Sequence, residues 1–356
     1  MTTRFLLLLV SALFLCNISF AKIFRVGYNG LALAGVDYTS VQLAQNAAAA
    51  GDTIQIYGTT GNTTITKQLV IMGFGYNFDA NLNLQAIGTN APSNVFLYFD
   101  AGSDGCIVSG LSGTFVIRSL NGTPISNINF LRCNGSFSLA NYIDYGAISN
   151  IKIISCVVQG LSRIYTGASA KPIVNLQMYN SILLDVTLSE PGTSAFILNC
   201  VSPITLSLYL NDAGVLVKNC VLANSGSTNN INTVYENNFF IQAQPAVLPV
   251  GSNNRWGQSL ANLFNRLGGT GDAPGLYYDV SFDEDYYALK AGSPAINGGF
   301  NAANAATDCG IYGGEAAYIY KLSGVPDVPA IYKLTAPGNA ATANPYNVTI
   351  SVRCNN

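Results

Sequence analysis

Apolar and polar positions alternate in short bursts from Gly51 onward. Thr53-Ile54-Gln55-Ile56-Tyr57 alternates with period two, Ile65 to Met72 forms a second apolar run, and Gly58, Gly61, Gly73 and Gly75 punctuate them. A period of two marks a half-buried strand, and glycine supplies the turns between. Ahead of these runs, Val41, Ala44 and Ala48 fall at i, i+3 and i+7. Thr39 or Ser40 can cap that stretch and Gly51 can stop it, which predicts a helix over Val41–Ala50. From Gly51 to about Ile241 the pattern predicts strands and turns alone.

Within that region a motif recurs: apolar-x-Asn/Ser-x-apolar. It appears in Ile107-Val108-Ser109-Gly110-Leu111, Ile153-Ile154-Ser155-Cys156-Val157, Met178-Tyr179-Asn180-Ser181-Ile182, Ile197-Leu198-Asn199-Cys200-Val201, Val217-Lys218-Asn219-Cys220-Val221 and Tyr235-Glu236-Asn237-Asn238-Phe239, with Phe130-Leu131-Arg132-Cys133-Asn134 as an imperfect copy. Successive middle residues lie 18 to 25 positions apart. A unit of that length made of strands cannot bury its apolar side alone, whereas stacked coils can. Asn180, Asn199, Asn219 and Asn237 would then line one bend as a polar ladder, each amide bonding the coil above and below. The helix before Gly51 would cap the open end of the stack.

Beyond Ile241 the period fades. Trp256, Leu260, Leu263, Phe264 and Leu267 sit at helical spacing before Gly268 and predict a short helix on the stack. Ala330-Ile331-Tyr332-Lys333-Leu334 and the alternating Tyr346 to Cys354 predict a terminal β-hairpin. The domain reading is therefore a leader over 1–21, a parallel β-helix with its caps over 22–315, and a C-terminal tail over 316–356.

The helix followed by Gly51-Asp52-Thr53-Ile54, Ile65-Thr66-Lys67 and Leu69-Val70-Ile71-Met72-Gly73 resembles the opening coil of right-handed parallel β-helix proteins of the pectate-lyase-like superfamily. The Asn-Cys bends look like their asparagine ladder. Asp285 to Ile296 and Asp308-Cys309-Gly310-Ile311-Tyr312-Gly313-Gly314 resemble the closing segment of secreted bacterial members. The resemblance implies an all-β fold: a right-handed parallel β-helix (solenoid) with an N-terminal helix cap and a C-terminal capping region. It says little of activity, because this architecture hosts lyases, hydrolases and adhesins.

Composition narrows the partners. Charged residues make up 10% of the 356-residue chain and the formal net charge is −2, which argues against nucleic acid, since that partner needs a basic patch. Arg4, the apolar Phe5 to Leu15 and Ser19-Phe20-Ala21 read as a secretion signal, with the mature chain starting near Lys22. No later run is apolar enough for a membrane span. The chain contains no histidine, which removes Ser-His-Asp and Cys-His nucleophilic sites. Of eight cysteines, Cys133, Cys156, Cys200 and Cys220 follow the ladder position. Stacked coils would space them in a line, not a tetrahedron. Cys309 and Cys354 could form a disulfide tying down the tail.

Lyases of the superfamily that the chain resembles hold calcium with clustered carboxylates and use Arg or Lys as base. Asp100 with Asp104 is the best local acid pair. Asp185 and Asp212 lie at different offsets from the bend, and Asp79, Asp144 and Glu190 stand apart. Arg118, Arg163 and Lys171 are the available bases. No acid cluster shares a column with a base in the sequence register. Asp279, Asp283, Glu284 and Asp285 form the densest acid group, without Asp-x-Asp-x-Asp spacing. Lys218 and Glu236 are expected to face each other on adjacent coils. Tyr277, Tyr278, Tyr286 and Tyr287 could stack on sugars or fill the C-terminal region. The sequence thus assigns no catalytic residue, metal or cofactor. Its leading expectation is a secreted, extracellular or cell-surface protein with a structural, adhesive or glycan-binding role, meeting polysaccharide or copies of itself. A polysaccharide lyase or glycoside hydrolase is the alternative.

Overall fold

A computed structural model describes residues 21–27, 37–58, 61–76, 94–118, 120–140, 146–162, 171–188, 192–203, 208–209, 214–223, 232–265, 287–321, 324–325, 330–335 and 348–353. Residues 1–20 of the leader expected over 1–21, with Cys16, and also Asp79, Asp144, Glu190, Arg163, Asp212, Leu267, Gly268, residues 277–286 with their acids and tyrosines, and Cys354 lie outside the described residues.

The chain forms a parallel β-solenoid. One sheet of eleven strands runs in chain order from Ile23–Val26 and Thr53–Ile56 through Leu176–Tyr179, Ser194–Leu198 and Gly214–Lys218 to Thr233–Glu236 and Gly251–Ser252. A second sheet of eleven strands extends from Asn62–Ile65 to Phe239–Phe240, and a third of three strands joins Ile125–Ser126, Ile148–Ser149 and Ile173–Val174. Within these sheets every neighbouring pair is parallel and comes from successive coils. The register stacks like on like: Ile153, Met178, Ile197, Val217 and Tyr235 share one inward column and are almost wholly buried. Phe130 packs edge-on against Phe99 and Phe137 in the same lumen. Alternation along each strand thus becomes an apolar interior continuous from end to end.

Three local readings change. Ile65 to Met72 is two strands, Asn62–Ile65 in the second sheet and Val70–Met72 in the first. The chain bends between them because the bend's backbone groups find side-chain partners: the amide of Thr66 donates to Gln45 Oε1 at 2.9 Å and that of Leu69 to Cys106 Sγ at 3.3 Å. The copy at Ile107 is shifted by one, since pairing aligns Ser109 with Leu131 and places Gly110, not Ser109, in the bend column. The stack also begins earlier than expected, with Ile23–Val26 paired to Thr53–Ile56.

The helix spans Val41–Ala47 and is capped by Ser40 Oγ, which accepts from the Leu43 amide at 3.2 Å. It buries Val41 and Ala44 over the end of the lumen. Gln45, also buried, uses both ends of its amide on the edge strand: Nε2 donates to Thr64 O at 2.8 Å while Oε1 accepts from Thr66. It thereby supplies the hydrogen bonds a further coil would make, which blunts the edge. Lys67 Nζ donates to the carbonyls of Gln45, Asn46 and Ala48, placing a cation at the helix C-terminus. The helix ends before Gly51 because the Ala49 amide turns to Asp52 Oδ2 at 2.7 Å. At the far end the expected short helix spans Leu260–Leu263, and Trp256, outside it, lies flat on Phe240 with ring centroids 4.0 Å apart.

Candidate aromatic cleft beside the strap

Coil bends need a residue that tolerates the left-handed region. Gly110, Arg132, Ser155, Asn180, Asn199, Asn219, Asn237 and Asn253 all have φ between 54° and 64°, except Asn180 at 47°. Glycine and asparagine dominate because they accept this conformation at least cost. In the register that pairs Tyr179, Leu198, Lys218 and Glu236, the four asparagines expected in one column occupy successive coils.

Their side chains do not bond one another as a ladder would. Asn180 Nδ2 donates to Ile311 O at 2.8 Å and Gly313 O at 2.7 Å, and Asn199 Nδ2 to Asp308 O at 3.0 Å. Asn219 donates to Phe300 O at 2.9 Å and accepts from the Phe300 amide at 3.3 Å. The partner is the C-terminal segment, which runs back along the outside of the stack as a strap. Farther along, Ser155 Oγ donates to Tyr318 O at 2.9 Å, Arg132 Nη1 to Val325 O at 2.8 Å, and the hydroxyls of Tyr76 and Tyr320 meet at 2.6 Å. Contacts of the strap with the stack therefore extend past Ala316, at Tyr318, Tyr320 and Val325. Beyond it Ala330–Thr335 pairs antiparallel with Thr349–Arg353. Beneath the strap lies a second apolar cluster in which Val157, Ile182, Val201, Val221 and Phe239 meet Ile311, Ala295, Cys309 and Tyr320.

An asparagine ladder does exist, on another bend. Asn150 Nδ2 donates to Asn127 Oδ1 at 3.1 Å and Asn175 Nδ2 to Asn150 Oδ1 at 2.8 Å, and all three are left-handed. Sequence reasoning missed it, although the signal was there: each Asn follows an Ile-Ser or Ile-Val dipeptide and precedes an apolar residue.

The residues after the strap-side bends point inward and serve as backbone acceptors. Amide 133 donates to Cys156 Sγ at 3.3 Å, amide 156 to Ser181 Oγ at 3.1 Å, amide 200 to Cys220 Sγ at 3.3 Å and amide 220 to Asn238 Oδ1 at 2.9 Å. Burial pushes the Cys156 and Cys200 thiols well above their ordinary pKa and that of Cys106 up to about 11. These cysteines are inert packing groups. Cys309 is a buried free thiol, with Sγ 3.3 Å from Asn237 O.

The acids expected as a pair serve separate structural ends. Arg118 grips Asp100 with Nε and Nη2, both at 2.9 Å, while its guanidinium lies 3.8 Å from the Tyr98 ring centroid. Asp104 accepts from the amide and hydroxyl of Ser126 at 2.8 and 3.0 Å. Asp185 and Lys171 are exposed. Lys218 and Glu236 do face each other on paired strands, 3.7 Å apart. Tyr287 is buried edge-on to Phe264. Among the described residues, no three Cys, Asp or Glu come together as metal ligands, and no helix is long and apolar enough to cross a membrane.

Between the strap and the outward face of the first sheet lies a cleft of about 380 Å³. Tyr179, Phe196, Leu198, Leu216 and Lys218 form its floor, and Phe300, Asn301, Ala302, Glu315 and Tyr318 form its wall. Tyr179 and Tyr318 stack with centroids 5.1 Å apart, whereas Phe196 and Phe300 remain 37% and 39% exposed. Glu315 Oε1 accepts from the Ala302 amide at 3.2 Å. Burial, and secondarily the neighbouring Tyr318, raise the Tyr179 pKa, so this hydroxyl stays neutral and available as a donor. A second depression on the same face shares Phe196 and Leu216 and reaches Asn232, Val234 and Glu236. The arrangement offers aromatic surface ringed by a few polar groups, its Lys218 engaged by Glu236. No protein-family model, curated protein or solved structure matches the chain.

Proposed function

We propose that the protein is a secreted or cell-surface β-solenoid that binds an extracellular glycan and performs no chemistry on it. The observation that carries this reading is the cleft, which exposed Phe196 and Phe300 line together with Tyr179, Tyr318 and Lys218. Concave sites lined by aromatics with a few placed polar groups are the usual form of a small-molecule site, and aromatic rings suit the C–H faces of a sugar. The reading places the protein with the secreted bacterial pectate-lyase-like solenoids, on the strength of its stacked coils, end-capping helix and strap. Export is supported by the leader-like start and by strand pairing that begins at Ile23, just after the expected cleavage site.

A lyase or hydrolase reading draws less support, because Asp100 is engaged by Arg118 and Asp104 by Ser126. Glycoside hydrolysis needs two free carboxyl groups across one bond. The test is retention of the mature protein by a polysaccharide panel in native affinity electrophoresis, with product assays on the same glycans. Retention without release of product is expected. Unsaturated or reducing-end products would move the protein to the enzyme reading. Retention by no glycan, with oligomers in light scattering, would move it to self-assembly.

A further inference from the structure

The cleft's charge, taken with the glycan-binding reading on which this inference rests, narrows the ligand. Among the described residues Lys218 is its one cation, and Glu236 on the adjacent strand already pairs with it at 3.7 Å. Glu315 on the strap wall accepts from the Ala302 amide, and the cation described in the cleft, Lys218, is already engaged by Glu236. Among the described residues neither depression contains an arginine, the side chain that grips carboxylates with two parallel hydrogen bonds. A uronate or sulfated sugar brought here would meet the Glu315 carboxylate beside apolar walls, where charge is weakly screened.

We infer that this cleft is a subsite for neutral polysaccharide, with Phe196 on the sheet and Phe300 on the strap as its two stacking platforms. The rings take the apolar faces of the sugar, while Asn301, Tyr179 and Lys218 face its hydroxyl edges. The floor rises by one strand per coil, about 4.8 Å, so Phe196 and its neighbours present a ribbed surface to a chain of repeating sugars. A peptide strand finds no backbone partner on a sheet face, since strand addition needs an edge.

The test measures affinity of the mature protein for neutral hydroxyethyl cellulose, xyloglucan and laminarin, and for polygalacturonate and alginate, at low and high salt. At least one neutral glycan should bind with little salt dependence, and the polyuronates should not. Phe196→Ala and Phe300→Ala should each weaken that binding about tenfold, the worth of one aromatic stacking contact. Leu43→Ala, on the exposed face of the capping helix, should leave it unchanged. Glu315→Lys should admit polygalacturonate. Preference of the parent for polyuronates would overturn the neutral assignment and leave glycan binding standing. Neutral-glycan binding that survives both phenylalanine changes, in variants with parental melting curves, would overturn the site. Failure of every glycan to bind would remove both the inference and the function on which it rests.

Discussion

Asn127, Asn150 and Asn175 on one bend, and Asn180, Asn199 and Asn219 on another, all hold φ between 47° and 62°. Their backbones are interchangeable, yet their amides are not. The first set bonds along the stack, Asn to Asn, near solvent. The second is buried, and its amides leave the stack for carbonyls of a strap more than 80 residues later in the chain. A left-handed bend is thus a local solution to turning the coil, while the destination of its side chain depends on what lies outside. Where nothing covers the bend, the nearest amide is the next coil's. Where the strap covers it, the strap's otherwise unpaired carbonyls take precedence, because buried backbone groups must be satisfied.

The comparison breaks most severely if the strap is undermined. Ile311 is fully buried in the outer cluster, so Ile311→Ala should cost about 2–5 kcal/mol. Hydrogen exchange should rise along 295–320 and leave the amides around Asn150 protected. Uniform loss of protection would mean that strap and solenoid form a single cooperative unit.

Next come paired glycine variants. Asn219→Gly and Asn150→Gly both keep a residue suited to positive φ, so the backbone term is common to them and their difference isolates the amide. Asn219→Gly should be the more damaging, by about 1–2 kcal/mol in urea melts, because it orphans both backbone groups of Phe300. Equal effects would refute the distinction between the two columns.

A third test concerns the other end of the stack. Asp52 is held below its ordinary pKa, first by the Lys22 amide at 2.7 Å and then by that of Ala49. A depressed folded pKa stabilises above the unfolded value, about 3.9. That contribution is lost as pH falls through the folded pKa. Melting temperature should therefore drop between about pH 4 and pH 2, and Asp52→Asn should flatten that slope while lowering stability at neutral pH. An unchanged slope in the variant would assign the acid sensitivity elsewhere.

The smallest effect is a silence. The thiols of Cys106, Cys133, Cys156, Cys200, Cys220 and Cys309 are buried, so a thiol reagent at pH 8 should label these six only as fast as the protein unfolds. Rapid native labelling of any of them, located by peptide mass, would show a local opening at that thiol; at Cys133, Cys156, Cys200 or Cys220 the opening would lie in the column beneath the strap-side bends.

Much of the solenoid was legible along the chain. Period-two runs, a repeat of 18 to 25 residues and asparagine at a fixed place in each copy are properties of one coil and its neighbour, and neighbouring coils are close in sequence. The register error at Ser109 arose because Gly110 makes the same bend without an asparagine to announce it. The division of Ile65–Met72 was hidden because its bend relies on Gln45 and Cys106, about 20 and nearly 40 residues away.

Side-chain polarity and the few residues that tolerate positive φ are enough to make this chain coil, to choose its inward-facing residues and to mark the bends at Asn180, Asn199, Asn219 and Asn237. Only the tertiary structure decided that Asn180, Asn199 and Asn219 serve the strap, that Val201 and Val221 are buried beneath it, and that Phe196 and Phe300 share a cleft. These depend on where a distant segment returns. Its return is set by the outward apolar row it covers and by the backbone carbonyls it must satisfy, a match between regions that no local pattern encodes.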